Sequence, residues 1–216
     1  MSENFKIDYQ REERIGFQEV VFGASKTIDQ LDAIIRDFQQ NKKSTLITRV
    51  QEDKATVLRD RFNPSFYDTT SAVLLVGEFP KKVKKDEVAI LSGGTSDQYL
   101  VDEIFYTLKF VGREASRYQD IGVAGVHRLL KNIDELRKFR VLIVVAGFEG
   151  ALPTVVGGLL PQPIIAVPAS VGYGIAKGGK VALYSMLSSC ANGITVVNID
   201  NGYGAAMAAY RIINGK

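Results

Sequence analysis

Residues 141–176 form a segment of 36 residues in which Glu149 is the only charged side chain. Prolines and clusters of glycine divide this segment into short apolar runs. A membrane-spanning helix needs about 20 apolar residues without such breaks. We therefore interpret the segment as the interior of a parallel sheet with turns at the strand ends. Glu149 stands two residues after the end of the predicted strand 140–147, so its carboxylate is a candidate functional group.

The composition is that of a globular protein with room for one domain and a smaller second one. The chain has 216 residues, of which 46% are hydrophobic and 24% charged, with a net charge of +3. No basic cluster is interleaved with aromatic residues, which argues against a nucleic-acid partner. The single cysteine cannot form an internal disulfide, and the first residues lack the apolar core of a signal peptide. We therefore expect a cytoplasmic protein that does not bind membranes.

Charge density divides the chain into two parts. Residues 1–86 contain 29 charged side chains, and the remaining 130 residues contain 22. We predict a small α+β domain over residues 1–80, a linker at Pro80 and the four lysines that follow it, and a second domain over residues 87–216. In the first domain Thr27 is expected to cap an amphipathic helix. The predicted strands of this domain are a short strand region within 13–23 and the segments 44–50, 54–60 and 71–79.

In the second domain apolar strands alternate with helical patterns. The predicted strands are 87–93, 114–120, 140–147, 163–168 and 193–200, and the predicted helices are 97–111, 123–130, 150–159, 176–189 and 205–213. This alternation predicts an α/β fold, with a parallel sheet covered by helices on both faces. Ligands bind such sheets at the carboxyl ends of the strands.

Two glycine-rich loops are candidate phosphate sites. The sequence GGTSD, residues 93–97, follows a strand and opens a helix, where free amides and hydroxyls bind anions. Ser96 or Asp97 serving only as a helix cap is the alternative. The second loop, residues 171–181, fails both nucleotide fingerprints, because Lys177 and Val181 occupy positions that require other residues. Lys177 and Lys180 remain possible point charges for a phosphate.

Three side chains leave more than one interpretation open. If Glu149 lies in an enclosed turn, burial raises its pKa and makes it a proton acceptor or donor; otherwise it only complements a helix dipole. Cys190 is spaced from Leu183, Met186 and Leu187 like a member of a core-facing helical stripe, and its use as a nucleophile requires a cationic partner. His127 is the single histidine, and such a residue is more often structural than catalytic.

Three longer runs identify a family. GVAGVHRLL, VVAGFEGALPTVVGGLLPQPIIAVPASVGYG and MLSSCANGITVVNIDNGYGAA closely resemble the LarB family of nickel-pincer cofactor biosynthesis, whose C-terminal domain is related to aminoimidazole ribonucleotide carboxylase (PurE). The resemblance covers the chain from about residue 87 and extends to GFQEVVFGASKT near the N-terminus. It implies a three-layer, flavodoxin-like domain of the PurE type, preceded by the small α+β domain, and an assembly of eight subunits.

The resemblance also implies a reaction. Nicotinic acid adenine dinucleotide would be carboxylated at C5 of its pyridinium ring with CO₂ or bicarbonate, and its phosphoanhydride would be hydrolysed. The products would be pyridinium-3,5-biscarboxylic acid mononucleotide and AMP. The family places a covalent thiolate at Cys190 and an essential glutamate at Glu149. We expect substrate-binding residues in the loops at the strand ends, namely Thr95, Ser96, Asp97, His127, Arg128, Gly172, Lys177, Asn198, Asp200 and Asn201.

The hydrolytic half of the reaction is less well defined by the sequence. No covalent cofactor is expected, and Mg²⁺ near the diphosphate is possible, with Asp97, Asp102, Glu103 and Asp200 as candidate ligands that form no metal motif. Lys177 stands where an apolar residue is expected after the glycine turn. Two alternative functions remain: a purine-pathway aminoimidazole ribonucleotide carboxylase or mutase, which needs no thiol, and a non-catalytic dinucleotide-binding protein.

Overall fold

The computed structural model describes residues 5–64, 66–81 and 83–215, with the side chains of residues 84–86 left out. The chain forms two compact units, Met1–Lys81 and Lys82–Lys216, each with its own sheet. Part of the predicted lysine-rich linker, including Lys82, lies outside the described residues. The linker is also shorter than predicted, because a strand already begins at Lys84.

The first unit is a mixed sheet with helices. Its elements are α1 (Arg11–Ile15), β1 (Val21–Phe22), α2 (Ile28–Gln40), β2 (Thr45–Thr48), α3 (Glu52–Phe62), β3 (Phe66–Asp68) and β4 (Val73–Val76). The strand order is β1-β2-β4-β3, with β1 parallel to β2 and the other pairs antiparallel. As predicted, Thr27 caps α2, since its hydroxyl accepts a hydrogen bond from the amide of Gln30.

The predicted strand 54–60 is wrong, because this segment lies within helix α3. Ala55 and Leu58 are its buried residues. A spacing of three places both on one face of a helix but on opposite faces of a strand. The β-branched residues of the run favoured a strand, and packing of this helical face against the core outweighed that propensity.

The second unit contains the longer elements. They are β5 (Lys84–Ser92), α4 (Gln98–Phe110), β6 (Arg113–Tyr118), α5 (Val126–Leu130), α6 (Ile133–Leu136), β7 (Val141–Ala146), α7 (Leu152–Leu159), β8 (Ile164–Pro168), α8 (Lys180–Leu187), β9 (Ile194–Val196) and α9 (Gly202–Asn214). The strands are all parallel in the order β6-β5-β7-β8-β9. Numbered within the unit, this is the flavodoxin-like order 2-1-3-4-5, so the predicted fold class is confirmed.

Helices cover both faces of this sheet. Helices α4 and α9 pack on one face with Ile90, Ile143 and Val167. Helices α5 to α8 contribute buried side chains to the other face, around Leu142 and Val144. Every residue of β7 is buried, which explains why its sequence is an uninterrupted apolar run.

The predicted helix 176–189 is shorter at both ends. Gly178 and Gly179 adopt left-handed conformations, with φ of +81° and +76°, and α8 begins only at Lys180. A side chain at Gly179 would approach the carbonyl oxygen of Ala169 to 2.9 Å, so this position requires glycine. Within residues 5–64, 66–81 and 83–215, the helices fall short of the length and apolarity of a membrane span.

Candidate active site

A cavity of about 350 Å³ opens at the carboxyl edge of the parallel sheet. It lies where β5 and β7 are neighbours, which is the point at which the strand order reverses. Chains leave neighbouring strands toward opposite faces at such a point and leave a crevice between them. The lining residues come from the loops after β5, β6, β7 and β8: Gly93, Gly94, Ser96, Asp97, Gly122, Val123, Ala124, Ala146, Gly147, Phe148, Glu149, Ala151, Leu152 and Val171.

The loop after β5 contributes the buried carboxylate of Asp97. One of its oxygens accepts a hydrogen bond of 2.9 Å from the amide of Gly94, and burial raises its pKa. Asp97 therefore shapes its own loop and also lines the cavity, but its side chain accepts no capping hydrogen bond from α4, so the interpretation as a helix N-cap is not confirmed. Ser96 lines the cavity, whereas Thr95 is exposed and is not among the lining residues.

The loop after β7 places Glu149 at the mouth of the cavity. Glu149 is exposed, so of the two interpretations left open for it the enclosed turn does not apply in the single chain. The reason is that Gly150, not Glu149, is turned inward against α8. A Cβ at Gly150 would lie 2.8 Å from the backbone of Ala182. Glu149 also precedes α7, so a favourable interaction with the helix dipole is compatible with its position.

This loop is fixed by close backbone packing on the loop after β8. The amide of Phe148 donates a hydrogen bond of 2.9 Å to the carbonyl of Val171. A Cβ at Gly147 would approach the same carbonyl oxygen to 2.5 Å, so this position accepts only glycine. The two loops are therefore held together at the cavity.

Cys190 lies outside the cavity. It follows the C-terminus of α8 and is exposed, so the prediction of a core-facing cysteine is wrong. The helix ends at Leu187, which is itself exposed, and of the predicted stripe Met186 is the buried member. The cysteine loop is anchored at Ser189, whose hydroxyl lies 2.7 Å from that of Thr154 in α7 and accepts a hydrogen bond from the Ala191 amide.

Cys190 and Glu149 have different surroundings in the single chain, because Glu149 lines the cavity and Cys190 is not among the lining residues. Gly150 contacts α8 near its N-terminus, at Ala182, whereas Cys190 follows the C-terminus of the same helix. The cysteine loop also contacts α7, the helix that follows the glutamate loop, through Ser189 and Thr154.

His127 and Arg128 lie in α5, just beyond the lining residues Val123 and Ala124. His127 is exposed, and the Arg128 guanidinium pairs with the carboxylate of Asp120. Neither side chain is among those that line the cavity in the single chain.

Most of the other predicted substrate-binding residues make structural hydrogen bonds. Asp200 accepts one from the Tyr99 hydroxyl at 2.6 Å and one from the amide of Ser170 at 2.8 Å. Burial and this bond to Asp200 raise the pKa of Tyr99. Asn201 caps α9. The side chain of Asn198 accepts a hydrogen bond from the next amide.

Gly172 and Lys177 complete the predicted set. Gly172 has a φ of +154°, and a side chain there would meet the carbonyl of Ala176. Lys177 is exposed. Neither lines the cavity, so the predicted set reaches it through Ser96, Asp97 and Glu149.

The candidate magnesium ligands do not assemble into a metal site. Asp102 is buried and already accepts hydrogen bonds from Arg117 at 2.9 Å and from Gln98 at 2.8 Å. The Glu103 carboxylate packs against the N-terminus of α9 at Gly202. Among the residues that the structure describes, no group of three or more His, Cys, Asp or Glu side chains could hold a metal ion.

Sequence reasoning missed two contributors to the cavity. The loop after β6 supplies Gly122, Val123 and Ala124, although it was predicted to be only the start of a helix. The strand order would have identified this loop, since β6 neighbours β5. The sequence indicates Phe148 only as a neighbour of Glu149, whereas in the structure this residue lines the cavity and is 43% exposed.

The charge of the cavity restricts its ligands. Among the described lining residues the charged side chains are Asp97 and Glu149, and none is Lys, Arg or His. An apolar wall with two carboxylates suits a flat ring with positive charge and a proton to be removed. A phosphate group of such a ligand would be expected outside the cavity lining, nearer the exposed lysines of the loop after β8.

Comparison with known proteins gives consistent matches along the chain. A model described as the LarB/PurE-like N-terminal domain matches residues 2–78, and the AIR carboxylase model matches residues 87–216. An uncharacterized protein of Methanocaldococcus jannaschii is 37% identical over 218 residues, which cover 97% of this chain and 84% of the relative. The N5-carboxyaminoimidazole ribonucleotide mutase of the same organism is 30% identical over 129 residues, covering 58% of this chain and 78% of the mutase.

Two solved structures resemble part of this chain. Treponema denticola PurE aligns with a TM-score of 0.51 and 25% identity, and a variant of PurE2 from the same organism with 0.50 and 26%. Each alignment covers 60% of this chain and 80% of the solved one.

Proposed function

Because the chain belongs to the LarB-like, PurE-related branch of the AIR carboxylase family, a family of carboxylase-type enzymes, we propose that it carboxylates nicotinic acid adenine dinucleotide. The carboxylation is at C5 of the pyridinium ring and is accompanied by hydrolysis of the phosphoanhydride. The products are pyridinium-3,5-biscarboxylic acid mononucleotide and AMP, for nickel-pincer cofactor synthesis.

The observation that carries this proposal is the domain pairing. The carboxylase-type domain over residues 87–216 follows a LarB/PurE-like N-terminal domain over residues 2–78. The mutase relative, by contrast, matches only 58% of this chain. A function that uses both domains is therefore a better explanation than a purine-pathway activity.

The residues supply the chemistry in this order. The Cys190 thiolate adds to C4 of the cationic ring, which neutralises the ring and makes C5 nucleophilic. C5 attacks CO₂, and Glu149 removes the C5 proton as general base. The C–S bond then breaks, the thiolate leaves and the ring regains its aromaticity and charge. In a separate step water attacks the phosphoanhydride and AMP leaves.

This mechanism requires a cysteine at the cavity that Glu149 lines. In the single chain Cys190 is exposed and is not among the residues that line this cavity. Both groups must reach adjacent carbons of one ring. We therefore propose that Cys190 enters the cavity of a neighbouring subunit, within the octamer that the family resemblance implies. Tyr184 and Leu187, exposed on the last turns of α8 beside the cysteine, would then be covered by the neighbour.

The test is a product assay. The purified protein is incubated with nicotinic acid adenine dinucleotide, Mg²⁺ and ¹³C-bicarbonate, and the products are identified by mass spectrometry. We expect a labelled dicarboxylated mononucleotide and AMP, which are absent with Cys190→Ala and with Glu149→Gln. Unchanged dinucleotide with the wild-type protein would refute the proposal.

Mixing the two inactive variants tests the shared site. If Cys190 and Glu149 meet across subunits, dissociated and reassembled mixtures of Cys190→Ala and Glu149→Gln regain part of the activity. If both groups act within one chain, the mixture stays inactive, and that result would remove the intersubunit mechanism. Removal of Mg²⁺ with a chelator tests the metal requirement of the hydrolytic step, for which the side chains that the structure describes offer no assembled site.

The mutase relative favours one alternative, action on a carboxylated aminoimidazole ribonucleotide. This reaction needs no thiol, so full activity of Cys190→Ala on that substrate would support it. A non-catalytic dinucleotide-binding protein is the other alternative. It would bind the dinucleotide without turnover, and its Cys190 would not react with an alkylating reagent at neutral pH.

A further inference from the structure

Phe148 occupies an unusual position for a large apolar side chain. Its backbone is left-handed, with a φ of 51°, a conformation that costs a non-glycine residue about 1–3 kcal/mol. The hydrogen bond from its amide to Val171 and the close packing of Gly147 hold it there. The residue is 43% exposed and is one of the cavity-lining residues, next to Glu149. Core packing therefore does not account for a phenylalanine at this position.

The Phe148 ring is oriented by a neighbouring aromatic residue. Its centroid lies 5.6 Å from that of Tyr173, with an angle of 87° between the ring planes. An edge-on pair of this kind uses one face of only one of the two rings. Tyr173 is itself 78% exposed. The pair therefore fixes the orientation of an aromatic face at the mouth of the cavity.

The charges around this ring favour a cation. Asp97 and Glu149 are the charged members of the described lining, and both are acidic. The face of an aromatic ring carries partial negative charge and attracts a cation within about 6 Å. A flat cationic ring would be attracted both by the aromatic face and by the carboxylates. A neutral ring of the same shape would have only the dispersion contact.

We propose that Phe148 is a substrate-positioning residue that holds the cationic pyridine ring against its face and makes the cavity selective for charged over uncharged rings. This inference rests on the proposed function, which makes the substrate a pyridinium nucleotide. Addition of the thiolate neutralises the ring, so the contact stabilises bound substrate more than the covalent adduct. Loss of the aromatic ring is therefore expected to raise KM more than it lowers kcat.

The test compares two dinucleotides that differ in ring charge. Oxidised nicotinamide adenine dinucleotide has a cationic ring and the reduced form a neutral one, while the rest of the molecule is the same. Calorimetric binding is measured in a Cys190→Ala background, which prevents adduct formation, and Phe148→Leu and Phe148→Tyr are added to it. Phe148→Leu keeps an apolar side chain without an aromatic face, and Phe148→Tyr keeps the face.

We expect Phe148→Leu to weaken binding of the oxidised form about 3- to 30-fold and that of the reduced form less than twofold. Phe148→Tyr should keep the preference. Equal weakening of both forms, no weakening of either, or no binding of either dinucleotide would overturn the inference. Melting temperatures near that of the Cys190→Ala parent show that the variants are folded.

The product assay separates the two proposals. Turnover by the wild-type protein, together with an unaltered preference in Phe148→Leu, would reject the role of Phe148 and leave the proposed function standing. Absence of turnover together with a lost preference would reject the proposed reaction and retain the site for a cationic ring.

Discussion

Replacing Gly150 with alanine is expected to destabilise the protein by two separable effects. Gly150 has a φ of +65°, and a Cβ there would lie 2.8 Å from both the Cα and the carbonyl oxygen of Ala182. The left-handed conformation costs about 1–2 kcal/mol for a residue with a side chain, and overpacking adds about 1–3 kcal/mol. Ala182 is fully buried, and the atoms that the new Cβ would meet belong to its backbone, which cannot rotate away as a side chain could. Gly150→Ala should therefore lower the free energy of unfolding by about 2–5 kcal/mol.

Two other glycines of the same unit provide matched controls. Gly174 has a φ of +58° but open space around its Cα, so Gly174→Ala should cost only the conformational part, about 1–2 kcal/mol. Gly158 lies in α7 with open space and no positive φ, and alanine there should stabilise by about 0.5–1 kcal/mol through helix propensity.

The assay is urea unfolding followed by circular dichroism at one fixed protein concentration. The order of stability should be Gly158→Ala, wild type, Gly174→Ala and Gly150→Ala. Carboxylation by Gly150→Ala should also fall, because Glu149 is the adjacent residue and moves with the displaced turn. The reasoning is refuted if Gly150→Ala is as stable as Gly174→Ala, since the contact with Ala182 would then cost nothing.

Three further outcomes are expected. Burial raises the pKa of Asp97, so the folded state binds the carboxyl proton more tightly than the unfolded state. The protonated carboxyl therefore contributes stability below about pH 4, and this contribution is lost as pH rises. Asp97→Asn should raise the melting temperature at pH 7 but not at pH 3. The pKa of Tyr99 is raised by burial and by the bond to Asp200, so wild-type stability should fall as pH rises above about 10. In Tyr99→Phe the fall in stability at alkaline pH should disappear. At pH 7 this variant should be less stable by about 1–3 kcal/mol, because the Asp200 carboxylate loses the hydrogen bond from the hydroxyl. Denaturation measured across pH checks both outcomes. Arg117→Met should cost about 1–3 kcal/mol by leaving the buried Asp102 carboxylate without its cation, and Arg117→Met/Asp102→Asn should recover part of this loss in a double-mutant cycle.

Much of the second unit followed from local sequence. Uninterrupted β-branched runs gave the strands at 140–147 and 163–168, and small residues at their ends marked the turns. Parallel strands of this kind must be covered on both faces, so the layers and the position of the crevice follow from the pattern. The fold class and the location of Glu149 after the central strand were therefore predictable.

Local patterns predicted the wrong element or the wrong helix boundary where the same residues suit more than one backbone conformation. The run 54–60 contains residues suited to strands, but the burial of Ala55 and Leu58 on one face selects a helix. The helix predicted from residue 176 starts at Lys180 because Gly178 and Gly179 are left-handed. A glycine permits a left-handed conformation, but its presence in the sequence does not show whether the chain adopts that conformation.

The sequence by itself determined which residues stand at the carboxyl ends of the strands, because strand formation is a local consequence of side-chain pattern. Only the tertiary structure decided which of them face the cavity. Asp200 and Asn201 make structural hydrogen bonds, Phe148 lines the cavity, and Glu149 and Cys190 are both exposed, with only Glu149 among the lining residues. Burial and orientation depend on segments far away in sequence that pack against each loop. A pattern of neighbouring residues therefore carries no information about them.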